Sequence, residues 1–329
     1  LQPELRQHCD VELFAHEKLG AGQAATVHLA TEVAEPDPHA DEAFPITLKT
    51  YNGPDGDRLF DVARTEGIAA RAAMGENDGF ADVLYPPDET RKQIPFEHAR
   101  GRVLEREMSN GRSMIRKALL AFAVGDFLYP RLHDAVERGV VPCDFRPANI
   151  VAEKEGSITF DTKEELGTRQ RRFLTLPRRF TVIDNDNHVR LRRDSKYTVP
   201  TLLSALYCAP EGHNIVPQTP FFVLGTILDD VMAGVSQRMI ANGRYLSPEE
   251  VIQHISEYGM SQTDRPANLE ERAAYPALQP IATEVRRLTD FILRLHAMDP
   301  DARPTGRDAF REQVVNGSVV LRNILGIED

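Results

Sequence analysis

Val141-Pro142-Cys143-Asp144-Phe145-Arg146-Pro147-Ala148-Asn149-Ile150 sets a carboxylate, a cation and an amide at fixed offsets within one short loop. These are the side chains that phosphoryl transfer uses. An Asp accepts a proton from an attacking hydroxyl, a nearby Arg neutralises phosphate charge, and an Asn offers its carbonyl oxygen to a divalent metal. The Asp-to-Asn spacing arises by chance about once in a chain of this length, so the loop carries weight only if the rest of such a machine is present in order.

Working upstream, Lys18-Leu19-Gly20-Ala21-Gly22-Gln23-Ala24-Ala25-Thr26-Val27 reads as a strand, a glycine turn and a second strand. Glycines let backbone amides approach phosphates with no Cβ in the way. Pro45 to Tyr51 alternates as a strand does and carries Lys49, whose ammonium can reach phosphate as a point charge; the plain alternative is a solvated strand lysine. From Asp57 to Met74, Leu59, Ala63, Ala70 and Met74 fall at helical spacing, and Glu66 shares their stripe. An unpaired buried carboxylate costs several kcal/mol, on the order expected for a lone buried ion, so the helix must meet a cation or a polar cleft. Lys49 is the nearest candidate partner, and the alternative is that Glu66 reaches solvent. Downstream, the apolar run Phe180-Thr181-Val182-Ile183 reads as a buried strand delivering Asp184 at its end, which suits a metal ligand. Asp186 reads as a turn former.

In this order the residues resemble the protein kinase family, as a divergent member of its eukaryotic-like branch. Gly20-Ala21-Gly22 resembles the start of the glycine-rich loop, Lys49 the third-strand lysine, Glu66 the C-helix glutamate, Asp144 and Asn149 the catalytic loop, and Asp184 the aspartate of the DFG motif. Tyr207-Cys208-Ala209-Pro210-Glu211 resembles the end of the activation segment, and Asp299 to Thr305 the Arg-containing stretch late in the C-lobe. The resemblance implies a buried pair between Glu211 and Arg303. It spans residues 14 to 315 and implies an α+β fold of two lobes. Residues 1–108 would form a small antiparallel N-lobe sheet with one C-helix, and 109–329 a mainly helical C-lobe, with the break at Ser109-Asn110-Gly111.

The same resemblance implies ATP and Mg²⁺, the metal held by Asn149 and Asp184. Lys49, braced by Glu66, would orient the phosphates, with Asp144 as base and Arg146 stabilising the transferred group. Val27 and Thr47 would touch adenine beside Gly20, Ala21 and Gly22. A softer match places Ser204 where Ser/Thr kinases bond the catalytic loop. The implied activity is transfer to a protein hydroxyl, on Ser or Thr. A nucleotide-binding scaffold and a phosphotransferase for a small molecule are the rivals; the Ala209-Pro210-Glu211 segment with Arg303 disfavours the latter.

Departures from the family pattern are specific. The third loop glycine is Ala25, which stiffens the loop. Pro142-Cys143-Asp144 lacks the Arg that meets a phosphorylated activation loop, arguing against that switch. Asp184-Asn185-Asp186 keeps the metal ligand but lacks the Phe, and Arg146 stands where a lysine is usual. Pro220 opens a helix that should begin with a buried Asp; proline suits a first turn but cannot accept catalytic-loop hydrogen bonds.

With 329 residues and 41% hydrophobic content, the chain can bury a large core. Its net charge of -11, from 39 Lys plus Arg against 50 Asp plus Glu, argues against general nucleic-acid or anionic-membrane binding. Cys9, Cys143 and Cys208 are scattered and odd in number, which points to a reducing, cytoplasmic setting, host cytoplasm for a secreted effector or viral enzyme. No apolar run reaches a membrane-span length, and the chain starts at Leu1, as a segment of a longer protein would. Ile115 to Val136 carries Leu119, Leu120, Ala123, Phe127, Leu132 and Val136 at helical intervals. The Pro-rich stretch from Glu35 to Pro45 reads as a loop. Between Asn149 and Asp184 an insertion bears Arg169, Arg171, Arg172, Arg178 and Arg179, with Arg190, Arg192 and Arg193 beyond. This basic island would dock an acidic or phosphorylated partner or an anionic headgroup; a solvated hairpin is the alternative.

Overall fold

Strand-like alternation in the first hundred residues builds an antiparallel sheet in the order β1 (Phe14–Ala21), β2 (Ala25–Thr31), β3 (Ile46–Tyr51), β4 (Gln93–Glu97). The computed structural model describes residues 13–21, 25–32, 45–75, 79–109, 114–143, 146–153, 179–184, 188–191, 197–198, 209–212, 214–233 and 287–306, with single positions 177, 284 and 319. β1 pairs antiparallel with β2, Gly20 opposite Val27 and Ala21 opposite Thr26, and β2 sets Val27 opposite Lys49. On one face of this sheet Ala25, Tyr51, Ile94 and Phe96 pack with Phe60 and Ala63 of the following helix. Tyr51 and Phe60 meet edge to face at 5.7 Å, a geometry that adds to their area burial.

That helix is not uniform. It runs as α1 (Gly56–Val62), a π-helical turn at Ala63–Gly67, and α2 (Ile68–Met74). A π turn inserts a residue into the helical register. Phe60, Ala63, Gly67, Ala70, Arg71 and Met74 are buried, whereas Glu66 is half-buried. The expected stripe therefore passes through Gly67 rather than Glu66. After α2 the chain runs beside β8 (Arg179–Val182), where Val182 N donates to Gly79 O at 2.8 Å and Ala81 N to Val182 O at 2.9 Å.

A second, larger core gathers α2, α3 (Leu104–Ser109), α4 (Met114–Glu137), the short strands β6 (Val140–Val141), β7 (Ile150–Glu153) and β8, α5 (Thr219–Ala233) and a helix over 287–295. In α4, Leu119, Leu120 and Leu132 are buried, with Ala123, Phe127 and Val136 packed beside them, as the periodicity predicts. Tyr129, also on α4, stacks against Phe221 and Phe291 at 5.1 and 5.9 Å and donates from its hydroxyl to Pro304 O at 2.8 Å. Burial holds the Tyr129 hydroxyl well above the usual phenol range. Truncating any one of these aromatics would cost about 3–5 kcal/mol. Every residue of α5, including Pro220 in its first turn, is buried.

The chain leaves the first sheet at residues 98–101, because β5 (Arg102–Val103) already pairs with β7 and Leu104 and Met108 lie in the larger core. The crossover thus precedes the break expected at Ser109-Asn110-Gly111. A two-residue strand carries too little pattern to be read in advance. The Pro-rich loop after Glu35 and the insertion from 154 to 176 lie outside the described residues.

Candidate active site

Three separated segments converge beside the first sheet. Lys49, at a half-buried position on β3, forms an ion pair through Nζ with Asp184 Oδ1. Asp184 follows β8 and adopts φ +67, a left-handed conformation that Asp tolerates better than most residues. Asn149 is buried and closes the Pro147–Asn149 3-10 turn; its carbonyl accepts from Ile183 N at 2.8 Å, so the two expected metal ligands hang from hydrogen-bonded backbones. The same turn is tied back to Arg146, whose carbonyl accepts from Asn149 N at 2.8 Å. Asp144 and Gly22 lie outside the described residues, as do Asn185, Asp186 and Ser204.

The expected Lys49–Glu66 brace is not formed. Lys49 meets Asp184 instead, and Glu66 takes part in no hydrogen bond or ion pair among the described residues. Two features account for this. The π turn moves Glu66 off the buried line of the helix, and Asp184 in its left-handed conformation offers the ammonium another carboxylate. A half-buried position leaves Glu66 accessible to water, which relieves the desolvation that would otherwise demand a partner.

The lower end of this helix is held by a residue that the sequence left unremarked. Arg71 is 4% exposed and donates to Gly75 O at 2.9 Å, Phe80 O at 3.0 Å and Ala81 O at 3.2 Å, while pairing with Asp82 at 2.7 Å. Burial pulls its guanidinium below the ordinary arginine value, and the Asp82 and Glu97 charges oppose that shift. The clamp fixes α2 against the segment at 80–82, which runs beside β8. Its signal was present, since position 71 falls on the buried helical stripe. His188 carried no such signal: it lies just before β9 (Val189–Arg190), fully buried, its ring edge-on to Phe80 at 5.4 Å. Among the described residues neither ring nitrogen has a hydrogen-bond partner, and burial, assisted by Arg71, pushes the imidazole pKa down to about 3. It is therefore neutral at physiological pH.

The pair implied by the resemblance does form. Arg303 Nη1 and Nη2 donate to Glu211 Oε1 and Oε2 at 2.7 and 2.8 Å, a bidentate contact closing a 92-residue separation. Thr219 Oγ1 donates to Glu211 at 2.7 Å, Arg303 Nε donates to Ala297 O at 2.9 Å, and the guanidinium lies 5.0 Å from the Phe222 ring. Burial works to raise the Glu211 pKa, but hydrogen bonds from Arg303 and Thr219 outweigh it and hold the carboxyl below its usual range.

Of the basic island, Arg179 and Arg190 are described, both at exposed positions, and Arg179 pairs with Glu153 at 3.7 Å. Arg169, Arg171, Arg172, Arg178, Arg192 and Arg193 lie outside the described residues. No described helix is long and apolar enough to cross a membrane. No family model and no curated protein matches the chain.

Proposed function

We propose that this protein is an ATP-dependent protein kinase of bilobal kinase-like fold that transfers the γ-phosphoryl group to a Ser or Thr hydroxyl. The observation that carries the reading is the convergence of Lys49, Asp184 and Asn149 from β3, the end of β8 and the turn before β7. A cation and two oxygen donors beside a glycine turn form a receptor for a triphosphate and its ion, and an all-oxygen donor set suits Mg²⁺. The bidentate Glu211–Arg303 pair supports the protein-substrate form of this reading, because the resemblance assigns that pair to the platform that receives a peptide.

In this reading Asp144 accepts the proton of the attacking hydroxyl as its oxygen bonds to the γ-phosphorus. The bond to the bridging oxygen breaks and ADP leaves. Lys49 orients the α and β phosphates, and Arg146 stabilises charge on the transferring group. Asp184 and Asn149 would hold Mg²⁺, which supplies charge neutralisation at the phosphates when bound. Glu66, on the π turn that follows the helix packed against β3, would be the carboxylate taken by Lys49 once Asp184 is engaged elsewhere. A nucleotide-binding scaffold is the second reading, favoured by the Lys49–Asp184 pair standing in place of a Lys49–Glu66 brace.

Asp144→Asn decides between them. Transfer from labelled ATP to protein should fall by about 10²- to 10⁴-fold, the range for a lost general base, while nucleotide binding persists. Turnover equal to the unaltered protein would refute the base assignment. Nucleotide binding with no transfer by the unaltered protein would establish the scaffold.

A further inference from the structure

Asp184 lies between two residues that rest on the same piece of chain. Before it, Val182 N donates to Gly79 O at 2.8 Å and Ala81 N donates to Val182 O at 2.9 Å. After it, the buried His188 ring meets Phe80 edge-on at 5.4 Å. Residues 79–81 therefore support the chain on both sides of Asp184, while Ile183 N, bonded to Asn149 O, ties it to the other expected metal ligand. A shift of 79–81 would carry the carboxylate with it.

The contacts that place 79–81 differ in kind. Phe80 and Ala81 are each 1% exposed, so their carbonyls have little access to water, and Arg71 reaches them from α2 at 3.0 and 3.2 Å. These are charge-assisted bonds in a site where water is a poor substitute. The end of α2 that carries Arg71 is itself anchored, because Arg71 also donates to Gly75 O at 2.9 Å, and Arg138, just past α4, donates to Met74 O. The ion pair with Asp82 contributes less, since that carboxylate is 57% exposed and screened by solvent. On the α4 side a Cβ on Gly79 would stand 2.3 Å from Arg131 Cδ, so the segment lies against an aliphatic stem. Such a stem excludes water but has no directional preference, whereas the Arg71 hydrogen bonds do.

We propose that Arg71 is a positioning residue for Asp184: by fixing the carbonyls of Phe80 and Ala81 it sets where the carboxylate lies relative to Asn149 and Lys49, and so how well the two oxygen donors close on Mg²⁺. This rests on the nucleotide-binding reading above and deepens it. Groups that orient metal ligands without touching the metal tune its affinity.

The test titrates the full chain with the β,γ-imido analogue of ATP by calorimetry, once in Mg²⁺ and once in EDTA, and reads amide hydrogen exchange without nucleotide. In the unaltered protein Mg²⁺ should tighten binding by at least about tenfold, the effect of one or more charge-assisted contacts. Arg71→Gln should leave the affinity in EDTA within about twofold and lower the gain from Mg²⁺ by about tenfold or more, the usual cost of losing a group that orients a ligand. Its Ala81 and Val182 amides should exchange at least about tenfold faster, with those in the middle of α4 unchanged. A purely structural role would not separate the two affinities. Arg71→Lys, which keeps the charge without the planar fork, should retain part of the gain, and Asp82→Ala should retain all of it. A gain in Arg71→Gln equal to that of the unaltered protein overturns the proposal, as does a loss in Asp82→Ala as large as in Arg71→Gln. Should Arg71→Gln fail to fold, a full gain and unchanged Val182 exchange in Arg71→Lys overturn it. No gain from Mg²⁺ in the unaltered protein overturns both the metal assignment of Asp184 and this proposal, and leaves nucleotide binding standing. Absence of nucleotide binding overturns the parent reading as well.

Discussion

Lys49–Asp184 and Arg303–Glu211 are both cation–carboxylate pairs joining distant parts of the chain, yet their surroundings differ. The Arg303 and Glu211 side chains are 0% and 10% exposed, the contact is bidentate, and Thr219, Ala297 O and the Phe222 ring complete the partners. The Lys49 and Asp184 side chains are 13% and 27% exposed, joined through one carboxylate oxygen, with Asp184 in a left-handed backbone conformation. Rigid, fully dressed ions hold a structure together, because removing one strands the other without water. A partly open pair can exchange partners at modest cost, which is what the proposed nucleotide site requires. Pairing type alone does not separate structure from function; the surrounding shell does.

The contrast breaks most visibly at Arg303. Arg303→Ala should destabilise the fold by about 3–5 kcal/mol, read as a drop in the chemical-denaturation midpoint, since Glu211 would remain buried with a charge. A loss below about 1 kcal/mol would show that this pair is no more structural than the other. The converse holds for pH. Glu211 has a depressed folded value, so its contribution is present above the ordinary carboxylate value and is lost as pH falls through the folded one.

His188 sharpens the comparison on the site's side. Its folded value of about 3 lies below the ordinary 6.5, so between these limits the unfolded chain binds more protons and stability falls as pH drops. The slope should approach about 1.4 kcal/mol per pH unit, and above pH 6.5 the dependence should vanish. Urea unfolding of His188→Phe across this range should show a flatter profile. An identical profile would mean that the ring is not held neutral.

Smallest is the effect at Lys49. Lys49→Met should change unfolding free energy by no more than about 1 kcal/mol, because the partner carboxylate can reach solvent, while nucleotide affinity falls. A loss comparable to that of Arg303→Ala would make the two pairs alike and remove the distinction.

How far the sequence could be read depends on where the information lies. Apolar periodicity over 115–136 is local, so the long buried helix was legible, as was the strand delivering Asp184. The resemblance carried Glu211 and Arg303 to each other across 92 residues because both lie in short motifs of fixed spacing. The partner of Glu66 was not legible. Helical spacing assumed one register from 57 to 74, and the π turn at Ala63–Gly67 breaks it. The partners of Arg71 were equally hidden, since the carbonyls it bonds are brought near only by folding.

Residue order by itself determined which side chains were available for the proposed phosphate chemistry and which helices had an apolar face, because both follow from local spacing along the backbone. Tertiary structure alone decided which carboxylate Lys49 meets and which residues close the end of the helix. Those choices depend on helix register and on strands paired across large separations, and small shifts in either exchange one partner for another.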